Sequence, residues 1–475
     1  MRNLTVSRAA AYAAAFSTIA FAPFSARAQT TDAPPEDVAA LRAQIAALDQ
    51  KLRVLERNLE IKDDTAAAAA KTAPVITAGA GGFSLTSADK KFSLRIRGNI
   101  QADGRYYLEE KSDASDTPDA FVLRRIRPSF EGTVGEKFGF RIMPDFANNQ
   151  LQLLDAYATY KQSDEFSLLF GKAKSPFDLE RLVSQTNLLF IERSYPTLLG
   201  PNRDTGVQAS GDLFAGRFSY QAAYLDGASD GGSVETDTND GKDAVLRLFT
   251  HPFKNNEDSF FKGLGFGVAY SAGTREVGSG AIRSYTTNAL VPFFQYNGNV
   301  RPDGDHTRLS PQIYFYKGPF GLLASYTETD QELINTTTVT PASVRGDFAN
   351  RAWAVTANYV LTGEDTGYNT SPKPRQDFNL SAGTWGAWEV AARVSAIDVD
   401  EGAFAGAGTG IFANRNTQAA GVDSLSLGLN WYLNRNVKAS LNFEHSSFDE
   451  AAGRSASLED FEDENAVLTR VQLSF

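Results

Sequence analysis

The residues best placed to do chemistry in this chain are arginines set two apart. In KFSLRIRGNIQADGRYYL, Lys91 to Leu108, the odd positions carry Arg95, Arg97, Asn99, Gln101, Asp103 and Arg105, while the even ones carry Phe92, Leu94, Ile96, Ile100 and Ala102. Arg125, Arg127 and Arg141 repeat the spacing farther on. A guanidinium stays charged at any working pH, and its planar fork matches two oxygens of an oxyanion in a way chloride cannot copy. A row of such groups offers an anion successive positions, each strong enough to enter and weak enough to leave. Other chemistry has little to work with. The chain contains no cysteine, which excludes disulfides, thiolate metal sites and a thiol nucleophile. His251, His306 and His445 stand singly, with neither metal-ligand clustering nor an evident nucleophile partner. The reading is therefore no catalytic residue, no metal and no cofactor. A net charge of -11 argues against a nucleic-acid partner.

A period of two belongs to a β-strand with unlike faces, one meeting something oily and the other something wet. Mean hydropathy is only -0.29, but alternating faces average out along each strand of a membrane barrel. Around Phe121 to Val134 the expected faces are Val122, Ile126 and Phe130 against Arg125, Arg127 and Glu131. Phe138, Phe140 and Ile142 then oppose Lys137, Arg141 and Asp145, and Leu154, Ala156 and Ala158 oppose Asp155, Tyr157 and Lys161. Segments of this kind continue to the C-terminus and number about sixteen, an even count as closed single-chain barrels require. The fold expected is all-β: a 16-stranded antiparallel transmembrane β-barrel over residues 92–475. Short links such as GEKF, KGPF and LNRN alternate with long polar ones, including 274–308; the irregular link at 364–387 breaks that rule. A barrel of this size leaves an aqueous channel, so the arginines line water. Arg247, Arg393, Lys438 and Arg470 fall on the same phase, and Asp103, Glu131, Asp145 and Asp155 oppose the basic residues.

One long link does not suit solvent. Gly171 to Gly206, GKAKSPFDLERLVSQTNLLFIERSYPTLLGPNRDTG, is too apolar to extend into water and too irregular for a strand. In sixteen-stranded porins the third external loop folds into the barrel, and this link sits at that place. An inward-folding loop over about 172–205 brings Lys172, Lys174, Arg181, Arg193 and Arg203 near the constriction; the alternative for each, weightiest for Arg193 and Arg203, is pairing with Asp178, Glu180, Glu192 or Asp204 that holds the loop against the wall.

The N-terminal segment is an address. Arg2 and Arg8 precede a small apolar run, and Ala26–Ala28 supplies a peptidase site, so 1–28 is read as a signal peptide. Residues 29–64 carry Val38, Leu41, Ile45, Leu48, Leu52, Leu55 and Leu59 at alternating spacings of three and four, the seam of a short periplasmic coiled coil that implies a multimer. Residues 65–91 read as an Ala/Gly/Thr linker. The last strand ends in Phe475, which resembles the signal by which the barrel assembly machinery recognises outer-membrane proteins.

Taken together, LRRIRPSFEGTVGEKFGFRIMPDF, DAYATY, LLFGKAKSPFDLERL, FIERSYP, RDTGVQASGDLF, NYVLTGE, GAWEVAARVSAID and the final LSF resemble the phosphate-selective porins of the O and P type across Phe92 to Phe475. The resemblance implies a homotrimer in the outer-membrane lipid of a Gram-negative bacterium, with arginines laddering down each lumen and lysines gathering anions. Phosphate or polyphosphate would then pass passively, without a cofactor. By position, Arg97, Arg124 and Arg125 correspond to ladder members; strand phase puts Arg124 toward lipid or the rim, which favours Arg125 and Arg127. The alternative is a general diffusion porin with weak anion preference. A barrel lipase or protease lacks a positioned nucleophile and base.

Overall fold

The computed structural model describes residues 35–108, 117–147, 150–234, 239–277, 282–336, 344–406 and 410–475. The signal peptide at 1–28 and the start of the heptad segment at 29–34 lie outside them. The chain divides into a unit ending at Lys71 and a unit spanning Thr72–Phe475.

In the first unit, helix α1 runs Pro35–Thr72 and carries the heptad seam. Its seam residues, from Val38 to Leu59, are all exposed in the single chain. The helix passes through Asp64 because the alanines after it are the strongest helix formers available. Among the described residues no helix is long and apolar enough to cross a membrane.

The linker expected at 65–91 is largely structured instead. Besides the end of α1, it holds a hairpin of β1 (Val75–Gly79) and β2 (Gly82–Thr86). Gly82, at φ 94°, makes the tight turn, and a Cβ there would meet the Ile96 carbonyl oxygen at 2.3 Å.

The barrel strands are β3 (Phe92–Tyr107), β4 (Ala120–Val134), β5 (Phe138–Asp145), β6 (Gln152–Lys161), β7 (Ser167–Lys174), β8 (Arg203–Leu213), β9 (Phe218–Leu225), β10 (Asp243–Thr250) and β11 (Leu264–Arg275). After a small ribbon of β12 (Tyr285–Thr286) and β13 (Pro292–Phe294) come β14 (Val300–Lys317), β15 (Phe320–Asn335), β16 (Val344–Val360), β17 (Ala387–Asp398), β18 (Ala419–Tyr432), β19 (Val437–Glu450) and β20 (Glu464–Ser474). Each pairs antiparallel with the next, and β20 pairs with β3, which closes a 16-strand barrel. The molecule is inside-out. Outward-facing Phe170, Ile313 and Leu427 are 45–48% exposed, whereas inward-facing Thr327, Ser426 and Asn442 are fully buried.

Two departures from the expected strands have physical causes. In β3–β4, Gln101 faces Arg125 but Ala102 faces Leu123, so Arg124 is an extra residue, a β-bulge. The bulge reverses the phase of the strand. Phe121 and Leu123 face outward, and Val122 pairs with inward-facing Asp103, contrary to the expected side for Val122. β14 and β16 also begin earlier than their apolar alternation, at Val300 and Val344. There the outer rows carry exposed Asp305 and Asp347, so both faces are wet and a rule that demands one oily face misses them.

Candidate functional site

The link between β7 and β8 folds inward, with short helices α2 (Leu179–Leu182) and α3 (Pro196–Leu199). Irregular backbone inside a barrel must find hydrogen-bond partners, and polar side chains of the inner wall provide them. Lys438 Nζ donates to the Leu188 carbonyl (2.8 Å) and Asn430 to Leu189 (2.9 Å), while the Ile191 N–H donates to Asn442 (2.8 Å). Arg470 Nη1 donates to the Ile191 carbonyl (2.7 Å) and Arg393 Nη1 to Glu192 (3.0 Å), with the Arg393 guanidinium 4.4 Å over Phe190. Three of the cations assigned to the lumen by phase, Arg393, Lys438 and Arg470, therefore hold the loop.

Along β3–β8 the loop leaves space. From the short-turn rim upward, a cavity of about 420 Å3 is lined by Arg95, Arg141 and Glu131. It shares Arg141 with one of about 950 Å3 lined by Arg97, Arg127, Lys174, Arg203 and Asp155. Next comes a cavity of about 350 Å3 in which eight cations face the single carboxylate of Asp145. Arg124, Arg125, Arg181, Arg193 and Arg283 continue from it into a fourth, of about 470 Å3, where Arg105 joins them against Glu192 and Asp230. Shared residues make these cavities one continuous cationic line.

Most of these cations are paired. Glu131 takes Arg97 (3.1 Å), Arg141 (3.0 Å) and, at 4.0 Å, Arg95. Asp155 takes Arg141 (3.1 Å) and Arg203 (2.7 Å), and Asp145 takes Arg127 (2.7 Å). Arg105 lies 3.7 Å from Asp103, which Arg470 holds through two bonds of 2.6 and 2.7 Å. Glu192 is the hub of the constriction: Arg124 binds it through Nε (2.7 Å) and Nη2 (3.1 Å), and Arg125 and Arg470 approach to 3.5 Å. Burial alone would push the Glu192 carboxyl up, but Arg124, Arg125 and Arg470 outweigh it and hold it well below the usual carboxylate range. Among the described residues of the line, Nε of Arg125, Arg141 and Arg181 is buried without a hydrogen-bond partner, although that of Arg141 lies 3.1 Å from the Asp155 carboxylate.

The predicted residues fare unequally. Arg95, Arg97, Arg105, Arg125, Arg127 and Arg141 all line the cavities, as do Lys174 and Arg181. Lys174 and Arg181 also tie down the loop, through the Val183 (3.0 Å) and Thr197 (2.5 Å) carbonyls. Arg193 bonds the loop carbonyls of Glu180 and Val183 rather than an acid, and Arg203, the first residue of β8, pairs with Asp155 of β6 rather than with an acid of the link. Lys172 does not join the constriction. Strand β7 continues through it to Lys174, and Lys172 is buried, paired in register with Ala156 and Thr205, and lines none of the four cavities. Arg124, set aside on strand phase, belongs to the site because the bulge turns it inward. Arg283 was missed: it lies on a second infolded link, where Tyr285, Phe293 and Phe294 pack against Tyr195 and Leu199. Phe475 closes the seam. Its backbone exchanges hydrogen bonds with Gly98 (2.9 and 3.0 Å), and its ring stands edge-on to Phe83.

The sequence model of the family described as "Phosphate-selective porin O and P" matches residues 94–475. Among curated relatives, "Porin O" of Pseudomonas aeruginosa is 24% identical over 432 residues, 85% of this chain and 93% of that protein. Solved structures similar to this one include the outer membrane channel DcaP of Acinetobacter baumannii (14% identity, TM-score 0.49, 81% of this chain and 98% of that one). An anion-selective porin from Comamonas acidovorans is similar at 11% identity and TM-score 0.48, over 81% of this chain and 100% of that one.

Proposed function

Because the chain belongs to the phosphate-selective porin O and P family, and is a channel of the outer membrane rather than an enzyme, we propose that it conducts anions, phosphate or polyphosphate foremost, along the cationic line of β3–β8. The observation that carries this reading is the cavity in which eight cations face one carboxylate. An oxyanion entering there meets fixed guanidinium forks on two sides, from β4 and from the constriction loop. Pairing with Glu131, Asp145, Asp155 and Glu192 keeps each position weak enough to release its guest. Passage needs no cofactor.

The same pairing favours a second reading, a general diffusion porin with weak anion preference, since nearly every arginine of the line has a carboxylate beside it. Bilayer recordings distinguish the two. Under a KCl gradient the phosphate reading expects a zero-current potential on the anion side, and phosphate titrated into chloride should block the current. A potential near zero with no block fits only the diffusion porin.

Assembly follows the same logic. The exposed seam of α1 supports a periplasmic coiled coil in a homotrimer, and the packing of Phe475 at the barrel seam supports its role as the signal read by the assembly machinery. Replacing Leu48 and Leu52 by Asp should separate the helices and leave the pore conducting. Loss of the trimer in that variant contradicts the reading that barrel contacts hold it.

A further inference from the structure

The irregular link between β16 and β17, Leu361 to Gly386, sits on the rim of short turns and is far longer than a turn requires. It has two legs. The inward leg is stapled at its base, where Arg375 donates to the Gly363 carbonyl (2.6 Å) and its N–H to Glu364 (3.3 Å). It then rises into the lumen beneath the constriction loop. Tyr368 stacks on Tyr314 at 4.7 Å and donates its hydroxyl to the Leu179 carbonyl (2.8 Å). Asn369, held at φ 57°, accepts the Ser184 N–H on Oδ1 (2.7 Å) and the Asn187 side-chain amide on its carbonyl (2.5 Å). Ser371 adds a bond to Asn187 Oδ1 (3.0 Å). The outward leg goes the other way. Phe378 packs on the outer-wall Trp431 (5.0 Å), the Trp431 indole donates to the Trp385 carbonyl (2.7 Å), and the Phe378 N–H donates to Leu433 (2.7 Å).

We propose that this link is a tether that sets the position of the constriction loop against the arginine wall, with Asn369 as its positioning residue. One leg is anchored outside the barrel, so the other cannot drift, and its tip seats the loop at residues 179, 184 and 187. The seat matters because Lys174 and Arg181, which flank it, face the wall arginines across the narrow part of the line, and Asn369 itself lines the cavity below. A left-handed backbone at a non-glycine residue is uncommon, and asparagine tolerates it better than most. Asn369 therefore combines the turn with the acceptor that Ser184 needs.

The inference rests on the anion-channel reading above, so the test is made in the same bilayers. Asn369→Gly keeps the turn and removes Oδ1; Tyr368→Phe keeps the stack and removes the hydroxyl. Each should raise single-channel conductance about 1.5-fold or more and require several-fold more phosphate for half-block of chloride current, with the thermal transition of the folded trimer unmoved. In a double-mutant cycle, adding Asn187→Ala to Asn369→Gly should raise the block constant further, because Asn187 holds the tip separately, through the residue-369 carbonyl and Ser371. Wild-type conductance and block constant in both single variants overturn the tether, as does a variant whose only change is a lower thermal transition. A wild-type channel without anion preference speaks against the earlier reading instead, and is scored before any variant.

Discussion

Arg125 on β4 and Arg393 on β17 are the same residue type, both in the lumen and both almost wholly buried, yet they belong to regions with opposite tasks. On the arc from β17 to β20, Arg393, Lys438 and Arg470 point at loop carbonyls, and the loop is packed against them. On the arc from β3 to β8 the loop touches the wall at Glu192 and Gln185 but leaves space beside them, and Arg124, Arg125 and Arg127 line open cavities. Burial does not separate the two groups; partners do. The lumen charge of a barrel is therefore not its pore charge. Only cations that line the space the infolded loop leaves open act on a passing ion, and the others act on the loop.

The largest effect expected from this contrast is at the bulge. A unit charge about 6 Å from a permeating ion contributes about 3 kcal/mol at an effective dielectric of 20, and about 0.7 kcal/mol in bulk water. Converting Arg124 and Arg125 to Glu should accordingly move the anion-to-cation permeability ratio by at least about tenfold toward cations, and abolish phosphate block. Retained anion preference in that variant would mean the conducting arc has been misidentified.

Glu192→Gln should push the other way by less. It removes one negative charge from the hub while leaving an oxygen for Arg124, so anion preference should rise about threefold and phosphate should block at lower concentration. The sign of its pH dependence is fixed. A carboxyl held below its ordinary range contributes its paired state above that range, and loses it only when pH falls through the depressed value. Wild-type selectivity in chloride should thus stay flat from pH 7 to pH 5; a step in that window that disappears in Glu192→Gln is the contrary result.

The strands of both arcs were legible because a period of two survives wherever one face meets lipid and the other water. What escaped is where the period slips. Leu123 and Ile126 cannot both face lipid on an unbroken strand, and the switch of the apolar row from odd (Phe121, Leu123) to even (Ile126, Phe130) was the trace of the bulge that turns Arg124 inward. The link expected from Gly171 begins later, because β7 runs to Lys174, and of the two lysines in that strand end only Lys174 reaches the cavities. Arg283 sat in a span read as a polar external loop. Its neighbours Tyr285, Val291, Pro292, Phe293 and Phe294 are as apolar as the link that was correctly judged too oily for water. The allocation of cations between pore and loop could not be read at all, since it depends on which side of the lumen an irregular segment leans.

Salt offers a milder test that touches both arcs at once. Screening shortens from about 10 Å at 0.1 M to about 3 Å at 1 M, and acts on charges in contact with water far more than on buried ones. Anion preference should fall about twofold over that range, while the thermal transition of the folded barrel, which reports the buried contacts of β17–β20, stays in place. A transition that moves with salt as selectivity does would dissolve the distinction.

The smallest change in selectivity is expected where a charge pair is removed from the loop-holding arc. The Arg393 guanidinium is fully buried, lies 3.8 Å from Glu444 and 3.9 Å from Glu180, and donates to the Glu192 carbonyl and to Ser426 Oγ. Changing Arg393 to Met and Glu444 to Gln together keeps the net lumen charge constant. The Glu192 carbonyl then loses its charged donor, a loss of about 1.5–3 kcal/mol that should appear as a lower thermal transition and noisier open-channel current as the loop loosens. The permeability ratio should change by less than about twofold, because a balanced, solvent-excluded pair presents little field to the line of cavities. If this double variant shifted selectivity as far as the Arg124 and Arg125 pair does, contact with water would not be what assigns an arginine its role, and the two arcs would have to be treated as one field.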